Sequence, residues 1–184
     1  MNRSTFLSIL FTLSLIFISH AHLAASTINF KLYQDVCIEY GVRVNPNNIR
    51  VCLTALESDP RIPQAKTYAE LSSLIIEQAM KNSTISQHYL KNLMKTDPSP
   101  AIKECANQDY DGIIKAFKNA LDNVIPNPQT AINYLRRDLG YAEGKCSDAI
   151  KNDPKSYFEV NVLINNLDFY TAIAELSLNH LIDK

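Results

Sequence analysis

Prolines at 60 and 63, 98 and 100, 126 and 128, and 154 stand between stretches whose apolar residues recur in steps of three and four. Proline inside a helix removes a backbone donor and clashes with the preceding turn, so each cluster ends one helix and frees the next to start. The chain is thereby cut into long amphipathic segments. One runs from Pro60 through Leu71, Leu74, Ile75, Ala79, Ile85, Tyr89 and Leu93. A second carries Ile102, Cys105, Ala106, Tyr110, Ile113, Phe117, Ala120, Leu121 and Val124, and a third Ala131, Ile132, Leu135, Leu139, Ala142, Cys146, Ala149 and Ile150. The fourth carries Val160, Leu163, Leu167, Tyr170, Ala174, Leu178 and Leu181, with Phe169, Ile173 and Leu176 as a second stripe beside it. Each pattern is that of a helix with one buried face. Four such helices with short connections predict an all-α chain, an antiparallel up-down-up-down four-helix bundle over residues 61–184. Residues 27–57 are left as a helical hairpin outside it. Four glycines, with neither a GxGxxG nor a GxxxxGK[ST] run, argue against a nucleotide-binding α/β fold.

Residues 1–26 are expected to be a signal peptide. Arg3 supplies the positive start, Phe6 to Ile18 an apolar stretch shorter than the ~20 residues of a membrane helix, and Ser19-His20-Ala21 and Ala24-Ala25-Ser26 two cleavage patterns. Cleavage removes Arg3 and no acid, leaving 17 basic against 19 acidic residues. That near balance points to no nucleic-acid partner, and no second apolar stretch points to a membrane. The expectation is a protein secreted to the extracellular space.

Secretion gives the four cysteines their meaning, because an even count in an oxidising compartment reads as two disulfides. The midpoint between Cys37 and Cys52 falls at Val44-Asn45, beside Pro46-Asn47-Asn48, and that between Cys105 and Cys146 at Ile125-Pro126. Antiparallel elements joined by a turn bring residues equidistant from it side by side. The turns therefore predict Cys37 with Cys52 and Cys105 with Cys146.

Catalytic equipment is sparse. There is no GxSxG elbow, all cysteines are expected to be paired, and beyond residue 26 only His88 and His180 remain, expected on the surface and in packing respectively. Without a CxxC no metal centre is expected, and no cofactor or catalytic residue is assigned. A filled bundle core is expected to leave no cleft for a sugar. What remains is a rigid frame that acts by presenting a helix face to a partner.

Several stretches carry a resemblance. Tyr33-Gln34-Asp35-Val36-Cys37, then Cys52-Leu53-Thr54-Ala55-Leu56-Glu57-Ser58-Asp59-Pro60, Lys103-Glu104-Cys105 followed by Tyr110, and Lys145-Cys146-Ser147-Asp148 resemble the plant invertase and pectin methylesterase inhibitor family. The resemblance implies a four-helix bundle with an N-terminal hairpin, disulfides joining first to second and third to fourth cysteine, and reversible inhibition of a cell-wall enzyme in the apoplast. Invertase-inhibiting members carry Pro-Lys-Phe before the fourth cysteine, where this chain has Pro128-Gln129-Thr130. Pectin methylesterase inhibitors often show Tyr-x-Asp-Ala after the third cysteine; here Tyr110-Asp111-Gly112-Ile113 moves the acid by one position, about 100° around a helix.

The expected activity is stoichiometric occlusion of the pectin methylesterase cleft. Invertase is the alternative target, and a secreted small-molecule carrier a more remote one. Candidate contacts on the second and third bundle helices are Lys103, Gln108, Asp111, Lys115, Gln129 and Asn133. Asn82-Ser83-Thr84 is a glycosylation sequon. Yet Asn82 follows Leu71 and Ile75 at helical spacing, so either the helix breaks there or Asn82 stays unmodified and partly buried.

Overall fold

The computed structural model describes residues 31–155 and 157–182. The expected signal peptide (1–26), residues 27–30 of the expected hairpin, residue 156 and the last two residues of the chain lie outside them. The described residues are helical, without a strand, and carry both expected disulfides, Cys37–Cys52 and Cys105–Cys146.

Helices α1 (Leu32–Arg43) and α2 (Asn48–Glu57) form the hairpin. They approach so closely at Gly41 that an added Cβ would stand 2.2 Å from Ile49 Cγ1, which is why a residue without a side chain is required there. A short 3-10 turn, Ile62–Gln64, leads to α3 (Tyr68–Thr96). Thr67 starts α3 by accepting from the Glu70 N–H at 3.1 Å. The next rod comprises α4 (Pro100–Glu104), a π-helical turn over Cys105–Asp109, and α5 (Tyr110–Asn123). The third repeats that plan: α6 (Pro128–Asn133), a π-helical turn over Tyr134–Leu139, and α7 (Gly140–Asn152). Ser99 caps α4 and Asn127 caps α6, each followed by a proline at the first helical position, where its missing N–H costs nothing. The chain closes with α8 (Phe158–Asn179).

Side-chain pairs fix how neighbours run. Ser72 and Ser177 share a buried hydrogen bond of 2.8 Å, Gln78 reaches Tyr170 Oη at 3.2 Å, and Asp97 accepts from Lys155 Nζ at 2.9 Å. Rising numbers on α3 thus meet falling numbers on and just before α8, so the two run antiparallel. Gln87 with Asp111 and Met94 with Asn107 do the same for α3 and the second rod. The Cys105–Cys146 bridge and the approach of Gly112 to Ala142 set the second rod antiparallel to the third. The third rod lies against α8, with Arg136 Nε 2.8 Å from Glu175.

The hairpin packs on the flank of α3 and α8. Tyr40 meets Phe169 edge to face at 5.4 Å, Glu39 lies 3.3 Å from His180 Nε2, and Gln78 donates to the Ala55 carbonyl and the Ser58 hydroxyl. Tyr33, Val36, Tyr40 and Leu56 thereby join the core made by the long helices.

The apolar stripes read from the sequence are the buried faces, with one interruption in kind. Ile85 and Tyr89, counted on the stripe of α3, are exposed. The inward face there passes instead through Ser83, Gln87 and Leu90.

Candidate functional site

Between α5 and α7 lies an open groove of about 570 Å³. One wall is Gln108, Asp109, Gly112, Lys115, Ala116 and Asn119, residues spaced along one face of the second rod. The other is Arg137, Asp138, Tyr141, Ala142 and Lys145. Small residues make the floor, since a Cβ on Gly112 would stand 3.2 Å from that of Ala142. The π-helical turns bracket the groove, one from each rod, and supply Gln108 and Asp109 on one side and Arg137 and Asp138 on the other. A π turn widens the helix by one residue, redirects the side chains that follow and is frequent at functional sites.

Asp109 is the unusual member. It is 2% exposed, and its Oδ2 has no hydrogen-bond partner. Burial, with help from the nearby Glu104 carboxylate, pushes its pKa up to about 6, and Lys145 pulls the other way. Its carboxylate and the sulfurs of Cys105 and Cys146 lie within 4.8 Å of one another. Those sulfurs are bonded to each other and offer a cation no thiolate. Tyr141, by contrast, is 67% exposed, with Lys145 Nζ 5.4 Å from its ring centroid. Nearby on α7, Glu143 is pushed up by burial and by the adjacent carboxylate of Asp168.

Of the six expected contact residues, Gln108 and Lys115 line this groove. Asn133 lines a smaller adjoining hollow with Thr130, Tyr134, Arg137 and Asp138. Gln129 is exposed on the same helix, its amide 3.5 Å from Asn133 Oδ1, and Lys103 is exposed away from the groove. Asp111 faces α3 instead, where it accepts from Gln87 at 2.6 Å. The groove is a surface feature beside a filled core: Gly112 and Ala142 let the rods approach at the floor while longer side chains stand off at the rim.

Asp109, Arg137, Asp138, Tyr141 and Lys145 were not among the candidate contact residues read from the sequence. Their signals are visible in retrospect. Asp109 follows Cys105 by four and precedes Ile113 by four, an acid on an apolar stripe; Arg137, Tyr141 and Lys145 recur every four residues. Asn82 lies on an unbroken α3, half-buried beside Tyr110, Leu167 and Tyr170. Of the two possibilities for the sequon, the geometry is that of the partly buried asparagine.

Among known proteins, no family model matches this chain and no curated sequence matches it. The groove and the frame that holds it carry the functional reading.

Proposed function

We propose that this chain is a secreted protein inhibitor of plant pectin methylesterase, acting by stoichiometric occlusion of the enzyme's cleft. In this reading residues 1–26 are a cleaved signal peptide, and the four long segments form one up-down-up-down bundle to which the hairpin is appended. The observation that carries it is the disulfide frame: first cysteine to second and third to fourth, on helices, as the resemblance to that inhibitor family implies. Both bridges are buried, so they fix the spacing of helices rather than tether loops. A frame held this way presents a side-chain pattern at little entropic cost on binding, which is what an inhibitor needs. The groove and its rims offer mixed charges and an exposed tyrosine, the composition of a polar contact surface. The absence of Pro-Lys-Phe around Pro128 favours the esterase over invertase as target.

The test is titration of purified mature protein into a pectin methylesterase and, in parallel, a cell-wall invertase. The expected result is loss of esterase activity at one-to-one stoichiometry with invertase unaffected. An interface of standard size, roughly 1,600 Å² in total, covers more than the groove, so Lys115→Glu should weaken inhibition rather than abolish it. Inhibition of invertase alone would move the target, and inhibition of neither would overturn the reading.

A further inference from the structure

The two disulfides have unlike surroundings. At Cys105–Cys146 a third group joins the sulfurs: the carboxylate of Asp109, on the same π-helical turn as Cys105, and the two sulfurs all lie within 4.8 Å of one another. Among the described residues no Asp, Glu or His comes that near to both sulfurs of Cys37–Cys52. Asp109 and both of its cysteine neighbours are buried.

Asp109 Oδ2 accepts no hydrogen bond, and its burial keeps solvent and solutes from supplying one. A donor has to come from within the fold. The charged groups around it do not provide it: Lys145 draws on the carboxylate from beyond ion-pair reach, Glu104 repels it, and Lys115, Arg137 and Asp138 of the groove make no hydrogen bond to Oδ2.

A cysteine thiol is such a donor. When a dithiol reductant opens the bridge, two electrons and two protons move: the protein S–S bond breaks, the reductant closes to its own cyclic disulfide, and each protein sulfur gains a hydrogen. Reduction also frees each sulfur to turn about its Cα–Cβ bond. Cys105 Sγ already stands 3.3 Å from the Cys146 carbonyl oxygen, so its S–H has an acceptor at hand. The S–H of Cys146 is then left for Asp109, whose charge makes that bond stronger than one between neutral groups.

We propose that Asp109 makes Cys105–Cys146 a redox-sensitive link: its carboxylate disfavours the bridge, where it has no donor, and favours the dithiol, where a cysteine supplies one. This bridge ties the two rods that bound the groove, so opening it releases one wall from the other. Cys37–Cys52, without such a neighbour, is not tuned in this way. The proposal is independent of the inhibitor reading.

The experiment equilibrates the purified protein and its Asp109→Asn variant with mixtures of reduced and oxidised dithiothreitol, at about pH 7.5 and, with a selenol as exchange catalyst, at about pH 4.5. Free thiols are trapped by alkylation, and peptide mass spectrometry reads the two bridges separately. Asp109→Asn keeps a similar shape and removes the charge. At the higher pH its Cys105–Cys146 bridge is expected to be about tenfold harder to reduce than that of the wild type, the scale of exchanging a charged for a neutral hydrogen bond, or about 30 mV in potential. In acid, where Asp109 carries its proton in the bridged protein, the difference should shrink toward nothing. Cys37–Cys52 should be reduced equally in both proteins at either pH. Carbon NMR of the wild type should show the Asp109 carboxyl titrating at lower pH after reduction, because a donated hydrogen bond favours its charged form, with dispersed amide signals showing that the fold persists. Equal reduction of the two proteins near neutral pH, a difference that persists undiminished in acid, a shift shared by Cys37–Cys52, or unfolding on reduction would each overturn the proposal.

Discussion

The side-chain amide of Gln87 donates to Asp111 Oδ1 at 2.6 Å, joining a buried residue of α3 to an exposed one of α5. Asp111, expected at a partner interface, thus also holds two helices together. Gln87 is covered by the fold, so removing its acceptor strands a buried donor. Asp111→Ala is expected to cost about 1–2 kcal/mol, seen as a lower thermal midpoint, whereas Asp111→Asn keeps an acceptor and most of the stability. Lys115→Glu, on the groove rim, should change stability by less than about 0.5 kcal/mol. Equal thermal midpoints for wild type and Asp111→Ala would show that water replaces the bond.

The two disulfides are expected to differ in weight. Cys37–Cys52 closes a separation of 15 residues and Cys105–Cys146 one of 41. In the chain-entropy account these correspond to about 3 and about 4 kcal/mol. The second also ties the rods that bound the groove, so its loss reaches the site. The Cys105→Ser, Cys146→Ser double variant should show the larger drop in thermal midpoint and lose the groove's shape, while the Cys37→Ser, Cys52→Ser pair chiefly loosens the hairpin. The reverse order in calorimetry would contradict this ranking.

How much of this was legible in the sequence differs between levels. Proline clusters and apolar steps located the helices, because backbone hydrogen bonding and burial act on neighbours within one turn. The π-helical turns at Cys105–Asp109 and Tyr134–Leu139 were not legible. Their apolar residues keep ordinary steps of three and four, and the extra residue is accommodated by positions that tolerate either course. Nor was the groove, which exists because Gly112 meets Ala142 across two rods 30 residues apart in sequence. Periodicity records which face is inward and says nothing of which residue stands opposite. Asp109 lay between these levels: its place on the stripe was readable, its lack of a partner was not.

Asn82 is expected to carry no glycan in the folded protein. It sits half-buried on an unbroken α3 beside Tyr170 of α8, and a glycan there would hold the two helices apart. Glycopeptide mass spectrometry of protein secreted from eukaryotic cells should find the sequon unoccupied, and Asn82→Gln should leave the mass otherwise unchanged. Full occupancy together with slow amide exchange through residues 75–90 would contradict the packing described.

Asp109 makes stability depend on pH in a direction opposite to that of most carboxylates. Burial raises its pKa from 3.8 to about 6, with Glu104 adding to the rise and Lys145 opposing it. The folded state therefore holds the proton more tightly than the unfolded chain, and the sign follows from linkage: protonated Asp109 favours folding below about pH 4, and that contribution is lost as pH rises through about 6. Asp109→Asn removes the titration while keeping a similar shape. The variant should match wild type near pH 3.5 and exceed its thermal midpoint increasingly between pH 4 and pH 6, with the gain constant above about pH 7. Thermal scans of both proteins across this range decide it. Parallel curves would mean that Asp109 ionises as freely in the groove wall as in water, and a variant less stable at neutral pH would mean that Lys145 compensates the buried charge in full.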